Sequence, residues 1–266
     1  MPSSIFARAT RPALLLAASC LLTASLHAAT DILWDNGPLL THAAGMSNGA
    51  DRSAISVGGT IFGAGAQTSS NNRVADDFTV SGAIWTMESA RFFTYQTGST
   101  TTSTLTGITL RVWDDVPGVG SVVWGDDTTN VLSATGFTGM YRTTESDNAG
   151  TTRPIMFVDV DLSGLALSAG TYWLDFSFTG SLASGPWAPP VSSTTEFVLG
   201  NALQSLAGGG FNPLMDGSSN VALPFVLSGA AAVPEPASSA AVLGAGVVLF
   251  AALRRRRSVP LISRIN

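Results

Sequence analysis

The residues of this chain that could do chemistry are few, and their spacing limits what they can do together. His42 is the only histidine after His27, and it shortly precedes Ser47 in "GMSNG", residues 45–49, which matches the G-x-S-x-G pattern of a serine nucleophile. That pattern works when the serine sits on a strand-to-helix elbow, with oxyanion donors behind it and an acid and a histidine later in the chain. Here the histidine comes first and no helical pattern follows. A Gly-rich surface loop is therefore the stronger reading, and a hydrolase built on Ser47 the weaker one.

Carboxylates come in adjacent pairs: Asp76-Asp77, Asp114-Asp115 and Asp126-Asp127. Neighbours in a strand point to opposite faces, so an adjacent pair does not make a general acid and base by itself. The second and third pairs flank "VPGVGSVVWG". At the ends of two consecutive strands, Asp114, Asp115, Asp126 and Asp127 could converge on a calcium ion with loop carbonyls, the simpler alternative being four solvated loop acids. "DVDLSG", Asp159 to Gly164, imitates the start of an EF-hand loop, but the twelfth position is Gly170, not glutamate. It reads as a strand running into a turn. The six tryptophans, Trp34, Trp85, Trp113, Trp124, Trp173 and Trp187, suit a core; two or three on one exposed sheet face would instead offer a stacking platform for sugar rings. The Thr-rich "TGSTTTSTLTG" could suggest a flat ice-binding array, but nothing repeats at a fixed period, so it reads as a polar loop leading into a strand at Ile108.

The elements that must carry these residues show a period of two. "TYWLDFSF" places Tyr172, Leu174, Phe176 and Phe178 on one face and Trp173, Asp175 and Ser177 on the other, the pattern of a half-buried strand. "GITLRVWDD" and "IMFVDVDLSG" alternate in the same way, and "AISVGGTIFG", "VADDFTV", "WTMESARFFTYQ", "SVVWGDD", "FTGMYRTT", "TEFVLG" and "ALPFVLSG" are further candidates. Short strands separated by Gly, Asn, Asp and Ser turns predict an all-β domain, an antiparallel two-sheet sandwich of jelly-roll-like kind. "GNALQSLAGGG" could supply one short helical turn, ended by its glycines.

Composition agrees with a packed domain: 266 residues are 45% hydrophobic and only 12% charged, with 28 glycines. There is no lysine, and all 13 basic residues are arginines. Between Ala29 and Val233 six arginines face 17 acidic residues, a net of −11, which argues against nucleic-acid binding and polybasic docking on anionic lipid. Arg8 and Arg11 precede "PALLLAASCLLTASLHA", the layout of a secretory signal peptide over residues 1–28 with cleavage near Ala28. The sole cysteine, Cys20, lies inside it, so a mature chain cut there has no disulfide and no cysteine-based metal site.

At the other end, "VPEP" (Val233, Pro234, Glu235, Pro236) is followed by an uncharged segment, Ala237 to Leu253, and by Arg254, Arg255, Arg256 and Arg257. The segment is at the short end of what spans a bilayer as one transmembrane helix, and the arginines act as a stop-transfer signal, leaving 254–266 as a cytoplasmic tail. In this order, behind a signal peptide, the three elements resemble the PEP-CTERM sorting signal of Gram-negative bacteria, a motif that also travels under an ice-binding label. The resemblance covers roughly the last 34 residues. It implies recognition of Val233, Pro234, Glu235 and Pro236 by an exosortase-type membrane protease, with Arg254 to Arg257 holding the segment in place. It further implies an inner-membrane-anchored intermediate, release or re-anchoring at the cell surface or extracellular matrix, and association with exopolysaccharide. The tail "SVPLISRIN" is longer than that pattern usually carries. "VADDFTV" and "LALSAGTYWLDF" are similar to segments of sandwich domains in bacterial secreted proteins.

The expected organisation is a signal peptide, a β-sandwich over 29–229, a linker with the sorting motif over 230–236, and the C-terminal anchor. The expected function is an exported, non-catalytic surface or matrix protein associated with exopolysaccharide. A carbohydrate-binding module is the alternative, and a secreted hydrolase ranks below both.

Overall fold

The structure is a computed structural model that describes residues 31–232. The signal peptide, the sorting motif Val233–Pro236, the apolar segment and Arg254–Arg257 lie outside the described residues. In chain order the strands are β1 (Asp31–Asp35), β2 (Asp51–Ala54), β3 (Ala64–Gly65), β4 (Arg73–Val80), β5 (Trp85–Thr94), β6 (Leu105–Trp113), β7 (Val122–Asp126), β8 (Leu132–Thr143) and β9 (Pro154–Asp161). They continue with β10 (Ala166–Leu167), β11 (Gly170–Gly180), β12 (Trp187–Ala188), β13 (Leu203–Ser205), β14 (Asn212–Pro213), β15 (Met215–Asp216), β16 (Ser219–Asn220) and β17 (Phe225–Ala231). Among the described residues the only helical element is a 3-10 turn, Thr68–Ser70.

Two large sheets form a β-sandwich-like body. The first has the order β1-β17-β5-β9-β8-β2, with β10 beside β5; the second has the order β14-β13-β4-β11-β6-β7. Pairing is antiparallel throughout both, except that β2 runs parallel to β8. Strict alternation makes the inner faces: Val74, Phe78 and Val80 from β4, and Leu174, Phe176 and Phe178 from β11, pack against Phe92, Val158, Val160, Phe225 and Leu227 of the other sheet. Phe92 of β5 meets Phe176 of β11 with ring centroids 4.5 Å apart, so aromatic contacts cross the interlayer space.

The alternation changes phase once in β5. Met87 pairs with Gly229 and Ser89 with Ser228, so Glu88 is an extra residue, a β-bulge. Trp85 and Met87 point inward before it, and Ala90, Phe92 and Thr94 after it. The slip turns Arg91 and Phe93 outward. A Cβ on Gly229 would collide with the Thr86 carbonyl oxygen, so the close backbone approach at the bulge requires glycine there.

Both ends of the described chain leave at the same end of the body, because Asp31 of β1 pairs with Gly229 of β17. Strand β17 runs to Ala231, past the expected domain end at 229, since its last residues still pair with Trp85 and Thr86. Three strand and helix expectations need correction. "AISVGGTIFG" is no strand beyond its first residue: β2 ends at Ala54 and residues 55–63 run as loop and turn. "TEFVLG" is not a strand; Phe197 reaches the core from a loop instead. "GNALQSLAGGG" makes no helix, because Leu203–Ser205 is drawn into the edge of the second sheet against β4.

Candidate functional site

Each large sheet has an outer face, and each outer face carries a depression. On the first sheet it is a groove of about 1250 Å³ running across β1, β17, β5, β9 and β8. Its floor is aromatic where the outer face of an antiparallel sheet is ordinarily polar: Phe93, Phe137 and Phe157 are half-buried there, with Met140 and Val226. Arg91 is bound side-on to Asp159, Nε to Oδ1 at 2.7 Å and Nη2 to Oδ2 at 2.8 Å, and its Cζ lies 4.5 Å from the centre of the Phe157 ring. The Asp159 bond raises the pKa of Arg91 further above an already permanent charge. Gly136 on β8 makes room for the ring, since a Cβ there would lie 2.8 Å from a Phe157 ring carbon. Glu88, Asp161, Ser89, Ser133, Ser163 and Ser228 supply a polar rim.

On the second sheet the depression is smaller, about 380 Å³, and polar. Asp175 projects outward from β11 yet is fully buried. Arg73 of β4 donates its Nε to Asp175 Oδ1 at 2.5 Å; Arg111 of β6 donates its Nε to Oδ2 at 2.8 Å and brings Nη2 to 2.7 Å of the same oxygen. Trp113 adds an Nε1 donor at 3.1 Å. The register explains the convergence: Asp175 lies opposite Ala75 on one side and Arg111 on the other, and Arg73 reaches over the small Ala75. The walls are the 3-10 turn with Asn71 and the loop after β13, including Gly208, Gly209 and Phe211.

The residues singled out in the sequence are mostly dispersed. Asp114 and Asp126 are not brought together, because Trp113 pairs with Val122 while Leu110 pairs with Asp126, and the ladder separates them by about 3.3 Å per residue. Asp114 Oδ1 accepts from the Ser121 N–H and Asp115 Oδ1 from the Val116 N–H. Asp126 accepts from the N–H and hydroxyl of both Thr128 and Thr129, which hold its carboxyl well below the usual range, and Asp127 binds Arg111 at 3.0 Å. Among the described residues no three of His, Cys, Asp or Glu group closely enough to hold a metal ion. Asp161 likewise closes its own turn on Ser163.

His42 contacts Thr41 Oγ1 through Nδ1 at 2.9 Å and Glu145 through Nε2 at 3.2 Å. Neither ring nitrogen bonds Ser47, which is exposed near the tip of the loop that His42 and Arg52 close. The Thr41 hydroxyl is itself spent on the Arg52 carbonyl. Asp76 points into the core while Asp77 points out, as adjacent strand residues must. Burial pushes the Asp76 carboxyl up to about 7, against the N–H groups of Leu223 and Asp77 and the amide of Asn36, which favour its ionised form. None of the six tryptophans is exposed: Trp85 and Trp173 are buried and the other four half-buried, so no tryptophan platform forms.

Comparison of the chain with family models, with curated proteins and with solved structures finds no match in any of the three. The two outer faces are therefore read from their own chemistry.

Proposed function

We propose that this chain is an exported, non-catalytic binding protein, sorted to the cell surface or extracellular matrix through its C-terminal signal and associated there with exopolysaccharide. The order of elements in the sequence carries this reading: an Arg-flanked apolar leader, a folded domain, "VPEP", an apolar segment and four arginines. Strand β17 ends at Ala231, one residue short of the motif that starts at Val233, so a protease acting on the motif would meet chain that follows the domain's last strand. On this reading Asp114, Asp115, Asp126 and Asp127 serve local turns and the Arg111 ion pair, not a calcium ion.

The strand order favours the jelly-roll form of the sandwich, and that form is part of the proposal. One sheet contains the run β1-β17-β5-β9 and the other the run β4-β11-β6-β7, the order that two interlocked Greek keys produce. Fold alone does not assign a ligand. The groove on the first sheet does favour the second reading, a carbohydrate-binding module, with Phe93, Phe137 and Phe157 in place of the tryptophans expected for that role.

The test is intact mass and fractionation of the protein from its native host, beside a Pro234→Ala/Glu235→Ala variant. Loss of the C-terminal segment in the wild type and its retention in the variant is the expected result. An uncut wild-type chain held in the inner membrane would refute sorting-signal processing.

A further inference from the structure

The Arg73–Asp175–Arg111 cluster is built more expensively than a sheet surface needs. Two guanidiniums and a carboxylate are desolvated on an outer face, where shorter polar residues would serve. Each guanidinium has five N–H groups. Arg73 spends them on Asp175 Oδ1, the Thr109 hydroxyl and the Asp175 carbonyl; Arg111 spends them on Asp175 and Asp127. That leaves N–H groups on both side chains unspent, and both side chains line the cavity. The remaining lining is rich in hydroxyl and amide groups: Thr68, Asn71, Thr128, Ser177 and Ser205, with Phe211 the one aromatic.

The walls are also held under strain. Ala207 sits in the left-handed region at φ 50°, a costly conformation for alanine, and Asn71 adopts it at φ 51° as the C-cap of the 3-10 turn, where asparagine is at home. They are locked to each other's segments: the Gly208 N–H donates to the Asn71 carbonyl at 2.8 Å and the Ala207 N–H to Asn72 Oδ1 at 2.9 Å. Such over-determined strain is characteristic of ligand clamps. The cavity volume lies at the small end of the range for ligand pockets. Ser177 is also well along β11 from Gly170, at about 3.3 Å per residue, away from the end where the chain leaves.

We propose that this cavity is a binding site for a hydroxyl-rich carboxylate of about sugar size, such as a uronic acid unit. Its carboxylate would be gripped by the unspent N–H groups of Arg111 and Arg73, its hydroxyls by the Ser, Thr and Asn groups of the walls, and its apolar face by Phe211. Asp127 is the placeholder. Its side chain is half exposed and its bond to Arg111 is a surface ion pair, so an incoming carboxylate can replace it at small cost, whereas the fully buried Asp175 stays. The site recognises the ligand locally against the acidic surface around it, because exposed charges beyond about 10 Å are largely screened at ordinary salt.

The test is titration calorimetry of the full-length chain in detergent micelles with three probes: trigalacturonate, free galacturonate and a neutral galactose trisaccharide. The acidic probes should bind at least about ten-fold more tightly than the neutral one. Equal affinity for monomer and trimer would identify a free hydroxy acid as the ligand source; a tighter trimer would identify a polysaccharide. Asp127→Asn removes the competitor and should tighten acidic binding by about five-fold. Phe211→Ala should weaken it by about ten-fold. Both residues lie on the rim, so neither variant threatens the fold as Arg111→Lys would. Neutral and acidic probes binding alike, or an Asp127→Asn variant binding no better than wild type, would overturn the site. The site does not rest on the sorting reading, and the mass measurement tests that reading without reference to any ligand.

Discussion

The two outer faces of the sandwich carry the same pair of residue types in opposite circumstances. On the first sheet Arg91 and Asp159 are 48% and 22% exposed as side chains, and the pair lies open along a wide aromatic groove. On the second, Arg73 and Asp175 are 12% and 0% exposed; Arg73 lines a narrow polar cavity, and Asp175 is sealed from it. An ion pair in water contributes little, because solvent screens it and long side chains lose freedom; a desolvated pair is strongly coupled, because each charge depends on the other. The open pair can therefore be rearranged by a ligand at little cost, and the closed one can only be a fixed template. One face suits an extended, loosely held chain, and the other a small ligand met in fixed geometry.

The sharpest way to break this comparison is Asp175→Ala. It strands two guanidiniums in a low-dielectric site and should cost about 3 to 5 kcal/mol, read as a fall in the urea midpoint. A loss under about 1 kcal/mol would mean that the closed pair behaves like the open one. The contrast between faces would then carry no weight.

Asp76 sharpens the comparison from inside the sandwich. It is as buried as Asp175, but its hydrogen-bond donors are amides, not guanidiniums, and its carboxyl is pushed up to about 7 by burial. A carboxyl whose value is raised on folding binds its proton more tightly in the native state. The stability it confers is present below about pH 4 and is lost as the pH rises to about 7, with a total of about 4 kcal/mol. The carboxyls of Asp126, Asp147 and Asp161 are held below their usual range, so their contribution is lost only in more acid solution. Unfolding free energy should therefore fall between pH 4.5 and pH 8, and Asp76→Asn should flatten that slope. A flat wild-type profile would show that the three N–H donors offset burial completely.

Much of the fold was legible where a strand alternates without interruption: "TYWLDFSF" and "GITLRVWDD" separate core from surface residue by residue, and β11 and β6 follow that reading. The groove was hidden by one extra residue. A single period of two through "WTMESARFFTYQ" places Arg91 and Phe93 on the side of Trp85 and Met87, and only the bulge at Glu88 turns them out. The cavity was hidden for a different reason. Alternation does show Asp175 on the polar side of β11, but its partners Arg73 and Arg111 come from strands far away in sequence, and only sheet order makes them neighbours. The four carboxylates that could form a calcium set are dispersed: Asp114, Asp115 and Asp126 accept from nearby backbone N–H groups, and Asp127 binds Arg111.

The smaller predictions concern the open face. Gly136→Val should drive Phe157 off β8 and remove the surface on which Arg91 rests, at about 1 to 3 kcal/mol, the usual cost of overpacking. The Arg91→Ala/Asp159→Ala double-mutant cycle should then return only about 0.2 to 1 kcal/mol of coupling, despite near-ideal side-on geometry at 2.7 and 2.8 Å. The same cycle on Arg73 and Asp175 should return several times more. Equal couplings would mean that burial is not what separates the two faces. A larger coupling on the open side would mean that stacking on Phe157, which the Arg91 deletion also removes, outweighs the screening of the pair by water.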